Sequence, residues 1–213
     1  MAIIVGDIHG NVDKVRAFLS YQPDQEHVAL GDYLDSFYEP IERQIECLEL
    51  LMVSNAVLLL GNHDLHYLKQ PLFQYPGYQA EYAEILQNRL ETNIGRFQAA
   101  YVADGWLCSH AGVHSGITAN NDDVAALAAM FNGCWQEYLA DREKGYRYKS
   151  IFKFDFMAEG SLVPTNIKQV FGHDELSPAE FVNQSCVSIA CSDKGFVYLF
   201  NTEHKQIVEI ALG

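Results

Sequence analysis

Three short apolar runs, each cut off by glycine and polar residues, constrain this chain more than anything else in it. Residues 2–5 run into Gly6-Asp7-Ile8-His9-Gly10, residues 27–30 into Gly31-Asp32-Tyr33-Leu34-Asp35, and residues 56–60 into Gly61-Asn62-His63-Asp64. Runs this short and apolar suit strands buried on both faces. Between them, Asn11 can cap a helix over 11–20 with Val12, Val15, Phe18 and Leu19 on one face. Pro40 can open a second helix with Ile41, Ile45, Leu48 and Met52 inward and Glu42, Glu46 and Glu49 outward. Strand, helix, strand, helix, strand predicts parallel βαβ units. All three polar strand ends then lie on one edge of a sheet, where open α/β sheets build their sites.

The remainder reads less regularly. A helix is expected over 78–94, with Tyr82, Ile85, Leu86 and Leu90 as its stripe. Strands over 98–103 and 106–109 meet at Asp104-Gly105, a two-residue hairpin signal, and the second runs into His110-Ala111-Gly112. Residues 124–144 look helical, 145–164 are aromatic and carry no assignment, and 167–171 form a strand ending in Gly172-His173. The tail predicts strands near 187–191, 196–201 and 207–212, turning at Asp193-Lys194-Gly195 and near Glu203-His204, as an antiparallel meander. No repeat or linker interrupts the chain, so residues 1–213 are expected to be one domain.

Bulk properties narrow the function. A net charge of −14 argues against a protein whose main task is gripping extended nucleic acid, which needs clustered Lys and Arg. It does not exclude a phosphate substrate, because bound divalent cations override the global sign locally. Five cysteines without a Cys-x-x-Cys pair fit neither a disulfide framework nor a zinc ribbon. The first residues lack the basic region of a signal peptide, and no apolar stretch is long enough for a membrane span. The expectation is a cytoplasmic chain.

The polar strand ends collect Asp7, His9, Asp32, Asp35, Asn62, His63, His110 and His173. Carboxylate, imidazole and amide oxygen suit Mn²⁺, Fe or Zn²⁺. The set is too rich in nitrogen for calcium and lacks the thiolates of a structural zinc site. Six ligands exceed what one catalytic ion needs, but suit two ions sharing a bridge, roughly 3.5–4 Å apart.

Gly6-Asp7-Ile8-His9-Gly10, Gly31-Asp32-Tyr33-Leu34-Asp35, Gly61-Asn62-His63-Asp64, Ser109-His110-Ala111-Gly112 and Phe171-Gly172-His173 resemble, in order, the motifs of the calcineurin-like metallophosphoesterases. The spacings from Asp7 to Asp32 (32 − 7 = 25) and from Asp32 to Asn62 (62 − 32 = 30) also fit that family. The resemblance covers residues 3 to about 173 and implies an α/β fold, a β-sandwich of two mixed sheets flanked by helices (α/β/β/α). It implies two divalent metal ions, with Mn²⁺ the first expectation and Fe or Zn²⁺ the others. Asp7 and His9 would hold the first ion, Asp32 would bridge, and Asn62, His110 and His173 would hold the second. A hydroxide on the bridge would attack phosphorus in line. His63 would be the general acid, supported by Asp35, which favours its imidazolium; such an acid contributes about 10²–10⁴ in rate.

Three departures bear on the branch and the substrate. Glu175 stands where many relatives have a second histidine in the last motif, which places the chain nearer the serine/threonine phosphoprotein phosphatases and the diadenosine-tetraphosphate hydrolases. Ser36 stands where those relatives carry a phosphate-clamping arginine, leaving Arg142 and Arg147 as the nearest basic candidates. Asp64 replaces the glutamate common in the eukaryotic phosphatases and resembles a bacterial or phage type. The expected function is thus a phosphoprotein-phosphatase-like phosphoesterase acting on a phosphorylated protein or a small phosphate ester. The alternatives are a dinucleoside polyphosphate or phosphodiester hydrolase, or a catalytically silent scaffold of the same fold. His66 and His114, a helical turn past Asn62 and His110, are weaker candidates for the cleft; His27 and His204 read as strand-end or turn residues.

Overall fold

The computed structural model describes residues 1–36, 38–71, 77–119, 121–143, 163–173, 179–190 and 195–213. In chain order the elements are β1 (Ala2–Val5), α1 (Val12–Ser20), β2 (Glu26–Ala29), α2 (Ile41–Val53), β3 (Val57–Leu59), α3 (Asn62–Leu65), α4 (Ala83–Thr92), β4 (Phe97–Gln98), β5 (Ala100–Ala103), β6 (Trp106–Ser109), α5 (Ser115–Thr118), α6 (Val124–Ala140), β7 (Gln169–Phe171), β8 (Glu180–Asn183), β9 (Cys186–Ser188), β10 (Phe196–Asn201) and β11 (Gln206–Ala211). They form a six-stranded sheet in the order β11-β10-β1-β2-β3-β4 and a five-stranded sheet in the order β5-β6-β7-β9-β8. The first sheet is parallel from β1 through β4, with β10 and β11 antiparallel. The second is parallel across β6, β7 and β9, with β5 and β8 antiparallel at its edges.

Strand periodicity sorts the core into layers. Along β1, Ala2 and Ile4 face the second sheet while Ile3 and Val5 face the helices. In β10 the same alternation sends Tyr198 and Phe200 to the sheet interface and Val197 and Leu199 to the helices. Trp106, Cys108, Val170 and Val187 of the second sheet close that interface. The helical core takes Val12, Val15 and Phe18 of α1, Leu48 and Leu51 of α2, Leu86 and Leu90 of α4, and Leu127, Phe131 and Trp135 of α6. This is the expected sandwich of two mixed sheets flanked by helices. No helix among the described residues is long and apolar enough to cross a membrane.

Three local expectations are corrected. The strand expected over 98–103 is two strands, β4 in the first sheet and β5 in the second. The chain changes sheets at Ala99, where Asn132 Oδ1 of α6 accepts the N–H groups of Ala99 and Ala100 at 2.9 and 3.2 Å. The tail is not one meander: β9 runs parallel to β7, whereas β10 and β11 return to the first sheet beside β1. Strand β8 is additional to every expected strand. On α2 the buried face centres on Gln44, Cys47, Leu48 and Leu51, with Ile45 and Met52 only partly buried. Most of the unassigned 145–164 stretch lies outside the described residues, as do Arg147, Glu175, Cys191, Asp193 and Lys194.

Candidate metal centre

The loops leaving the parallel strands bring the sequence candidates together. β1 delivers Asp7 and His9, β2 delivers Asp32 and Asp35, β3 delivers Asn62 and His63, β6 delivers His110 and β7 delivers His173. Two groups of ligand atoms form around Asp32: Asp7, His9 and Asp32 in one, Asp32, His110 and His173 in the other. Asp32 belongs to both. A third group contains Asp35, His63 and His66.

Backbone geometry sets these positions. His9, Asp32, Asp35 and His173 all have positive φ, at 46, 52, 64 and 72°. Aspartate and histidine tolerate this region better than most residues, yet its use at four site positions is backbone strain concentrated where side chains must be aimed. Two glycines permit the close approach. A Cβ on Gly61 would lie 2.0 Å from Asp32 Oδ1, and one on Gly172 would lie 2.4 Å from Asp7 Oδ1. Cross-loop hydrogen bonds then join the loops: the backbone N–H of His63 donates to Asp32 Oδ1 at 2.9 Å, and that of His173 donates to Asp7 Oδ1 at 3.1 Å.

The histidine tautomers follow from their partners. His9 Nδ1 lies 3.0 Å from the Leu34 carbonyl, and His110 Nδ1 lies 3.1 Å from the Leu30 carbonyl. A carbonyl only accepts, so each Nδ1 carries a proton and each Nε2 of the neutral ring presents a lone pair. His9 Nε2 sits 4.0 Å from Asp7 Oδ2 and 4.0 Å from Asp32 Oδ2. His110 Nε2 sits 2.9 Å from Asn62 Oδ1, 3.3 Å from His173 Nδ1 and 3.5 Å from Asp32 Oδ2. Burial pushes the His110 ring down to about 3, so it is neutral at physiological pH. Burial lowers His9 as well. Lone pairs and carboxylate oxygens thus converge on shared points, which fits cations. Imidazole ligands braced through the other ring nitrogen are the usual arrangement of metal sites.

The carboxylates agree. Burial first, then the nearby Asp7 and Asp64 carboxylates, push Asp32 well above the usual carboxylate range. No Lys or Arg ion pair reaches Asp7 or Asp32 among the described residues. Divalent cations would supply the missing positive charge.

Several contributors carry no assigned role in the sequence, and His66, a weaker candidate for the cleft there, joins the Asp35 group. Asp64 is fully buried and accepts three backbone N–H groups, from Asp32 at 2.8, Tyr33 at 2.9 and Gly61 at 3.0 Å. Burial pushes its carboxyl up to about 7. Its position three residues after Gly61, at the start of α3, is the one local signal for this clamp. Gln44 of α2 accepts the N–H of Asp35 at 3.0 Å and of Ser36 at 3.3 Å. His63 Nδ1 lies 2.9 Å from Asp35 Oδ2, His66 Nε2 contacts the same oxygen, and the Tyr67 hydroxyl donates to Asp35 Oδ1 at 2.5 Å. Burial raises Asp35, but the bonds from His63, His66 and Tyr67 outweigh it and hold the carboxyl low.

The other candidates have local structural partners. His114 caps α5, accepting the Gly116 N–H at 3.0 Å. His27 bonds the carbonyls of Gln25 and Tyr21. Ser36 is buried, and its Oγ accepts the N–H groups of Tyr38 and Glu39, turning the chain into α2. Arg142 is not a phosphate clamp: it forms a two-pronged ion pair with Glu91 at 2.5 and 2.8 Å. Arg16, Arg43, Arg89 and Arg96 are likewise bonded away from the site.

Together the sandwich and this ligand set define a metal-binding phosphoesterase. The chain belongs to the calcineurin-like phosphoesterase family, whose model matches residues 2–200. It is 28% identical over 117 residues to a protein phosphatase 2A catalytic subunit of Dictyostelium discoideum, a match covering 52% of this chain and 38% of that one. By fold it is similar to a cold-active protein-tyrosine phosphatase of a psychrophilic Shewanella, with a TM-score of 0.60 at 15% identity over the whole of this chain and 80% of that one. A point mutant of a cold-active protein tyrosine phosphatase gives a TM-score of 0.62 at 14% identity over the same shares.

Proposed function

We propose that residues 1–213 form one domain, a dinuclear metal-dependent phosphoesterase of the phosphoprotein-phosphatase type. The observation that carries this reading is the membership of Asp32 in both ligand groups. Asp7 and His9 would hold one ion, Asn62, His110 and His173 would hold the other, and Asp32, a member of both groups, would be shared by the two. Mn²⁺ is the expected metal, with Fe and Zn²⁺ compatible with the donors. When bound, such ions would lower the pKa of a water nucleophile and offset charge on the phosphate.

The chain's own residues do the rest. His63, held by Asp35 at 2.9 Å, gives its proton to the departing oxygen. Intact His63 and Asp35 support an enzyme over a silent scaffold. The four described free cysteines fit a reducing compartment, and we place the protein in the cytoplasm.

A second reading has its own support. All described arginines are engaged elsewhere, and Ser36 serves the start of α2, so a doubly charged monoester lacks the expected clamp among the described residues. That favours a substrate with less charge per phosphorus, such as a dinucleoside polyphosphate or a diester. A substrate panel with Mn²⁺, comparing phosphopeptides, diadenosine tetraphosphate and a diester, separates the two. Hydrolysis of phosphopeptides that disappears in His63→Ala supports the first reading; preferential cleavage of the diester or the tetraphosphate moves the assignment to the second. No turnover of any phosphate ester with any metal would leave the scaffold.

A further inference from the structure

Asp35 is held more thoroughly than a simple partner to His63 requires. Its Oδ2 meets both His63 Nδ1 and His66 Nε2, its Oδ1 takes the Tyr67 hydroxyl proton, and its backbone N–H is fixed by Gln44. The Tyr67 oxygen also accepts the Gln79 N–H at 3.0 Å, so its single proton is committed to Asp35. Ring contacts hold the two donors in place. Tyr67 and His66 meet edge-on at 4.5 Å, and Tyr78 stacks on Tyr67 at 5.2 Å and meets His66 edge-on at 5.3 Å. His66 and Tyr67 are almost wholly buried, and Asp35 is the charged group that their polar atoms meet there. Both follow directly from α3, whose first two residues are Asn62 and His63.

We propose that His66 and Tyr67 are positioning residues for the acid: acting through Asp35, they fix the His63 ring so that Nε2 meets the departing oxygen. This rests on the acid role given to His63 above. In that step a water-derived oxygen bonds to phosphorus as the bond from phosphorus to the leaving oxygen breaks. The electron pair stays on the leaving oxygen, which takes the proton from His63 Nε2, and the ring is left neutral. Proton donation matters little for a leaving group that is already a weak base and greatly for an alkoxide. A loose ring therefore penalises the two unequally.

The test compares p-nitrophenyl phosphate with alkyl phosphates of rising leaving-group pKa, in wild type, His63→Ala, His66→Leu, His66→Gln and Tyr67→Phe. His66→Leu and Tyr67→Phe should lower kcat about tenfold or more on the alkyl esters and about twofold on the p-nitrophenyl ester, with KM little changed. His66→Gln, which can keep a donor near the Nε2 position, should recover most of the loss. In the metal-free protein, the His63 Nδ1–H resonance should be protected from exchange in wild type and lose that protection in His66→Leu. Equal losses on all leaving groups, or an unchanged Nδ1–H signal, would overturn the positioning role. If His63→Ala shows no leaving-group dependence, the acid assignment itself fails. If it does and the other variants do not, only the present inference falls. Tyr67→Phe removes a single oxygen and carries the test if His66→Leu does not fold.

Discussion

The Asp64 carboxylate accepts the backbone N–H of Asp32 at 2.8 Å, so a residue outside both candidate metal-ligand groups sets the position of the one that belongs to both. The same carboxylate binds Tyr33 and Gly61, tying the loop after β2 to the loop after β3.

Asp64→Ala therefore leaves three buried N–H groups without their acceptor. At about 1–3 kcal/mol for each unsatisfied group, the loss of stability should reach at least about 3 kcal/mol. Asp64→Asn should also be damaging, because its amide nitrogen would face a donor. Urea unfolding midpoints check the stability, and metal content checks whether Asp32 has moved.

Gly61→Ala isolates crowding from backbone strain, because Gly61 has φ of −96°. The added methyl would lie 2.0 Å from Asp32 Oδ1 and 2.5 Å from Asp32 N. The expected result is about 1–3 kcal/mol of destabilisation together with weaker metal retention. Equilibrium dialysis against Mn²⁺ reads the second effect.

Ser36→Ala tests whether this residue serves the substrate or the fold. Its hydroxyl accepts the N–H groups of Tyr38 and Glu39 at 3.2 and 2.9 Å. Removing it should cost about 1–3 kcal/mol, as the loss of a turn's hydrogen-bond acceptor does, with KM unchanged. A several-fold rise in KM at unchanged stability would instead make Ser36 a phosphate contact.

Glu91 and Arg142, outside the candidate metal-ligand groups, give a pH dependence of their own. Burial raises the Glu91 carboxyl, but the Arg142 pair and the Lys69 N–H outweigh it and hold it below its ordinary 4.5. The folded chain thus binds fewer protons than the unfolded chain near that pH. The pair's contribution is fully present above about pH 4.5 and is lost as pH falls through the lowered folded value. Glu91→Gln should lower stability by about 1 kcal/mol at pH 7 and flatten the acid limb of the stability profile. Thermal melts between neutral and acid pH measure both.

Much of the site is legible in the sequence because its residues follow strand ends. Apolar runs closed by Gly-Asp or Gly-Asn mark β1, β2 and β3, and parallel crossovers place their loops on one edge. What supports those loops is not local. Asn132 satisfies the corner at Ala99 from α6, and no pattern within residues 97–103 marks a change of sheet. Helical periodicity turns Ile45 and Met52 inward on α2, yet Gln44 takes the buried face because its amide holds Asp35 and Ser36. His66 and Tyr67 likewise acquire their place only when the loop carrying Asp35 folds against α3. The substrate is the least legible part, since Ser36 replaces the expected arginine and Arg142 is spent on Glu91.

The central claim for this site is that Asp32 serves two ions. Protein stripped of metal, reloaded with Mn²⁺ and analysed for metal by mass spectrometry should hold two ions per chain. His9→Ala should hold one, and Asp32→Asn should hold neither tightly. A wild-type protein that binds a single ion, or an Asp32→Asn variant that keeps both, would contradict it.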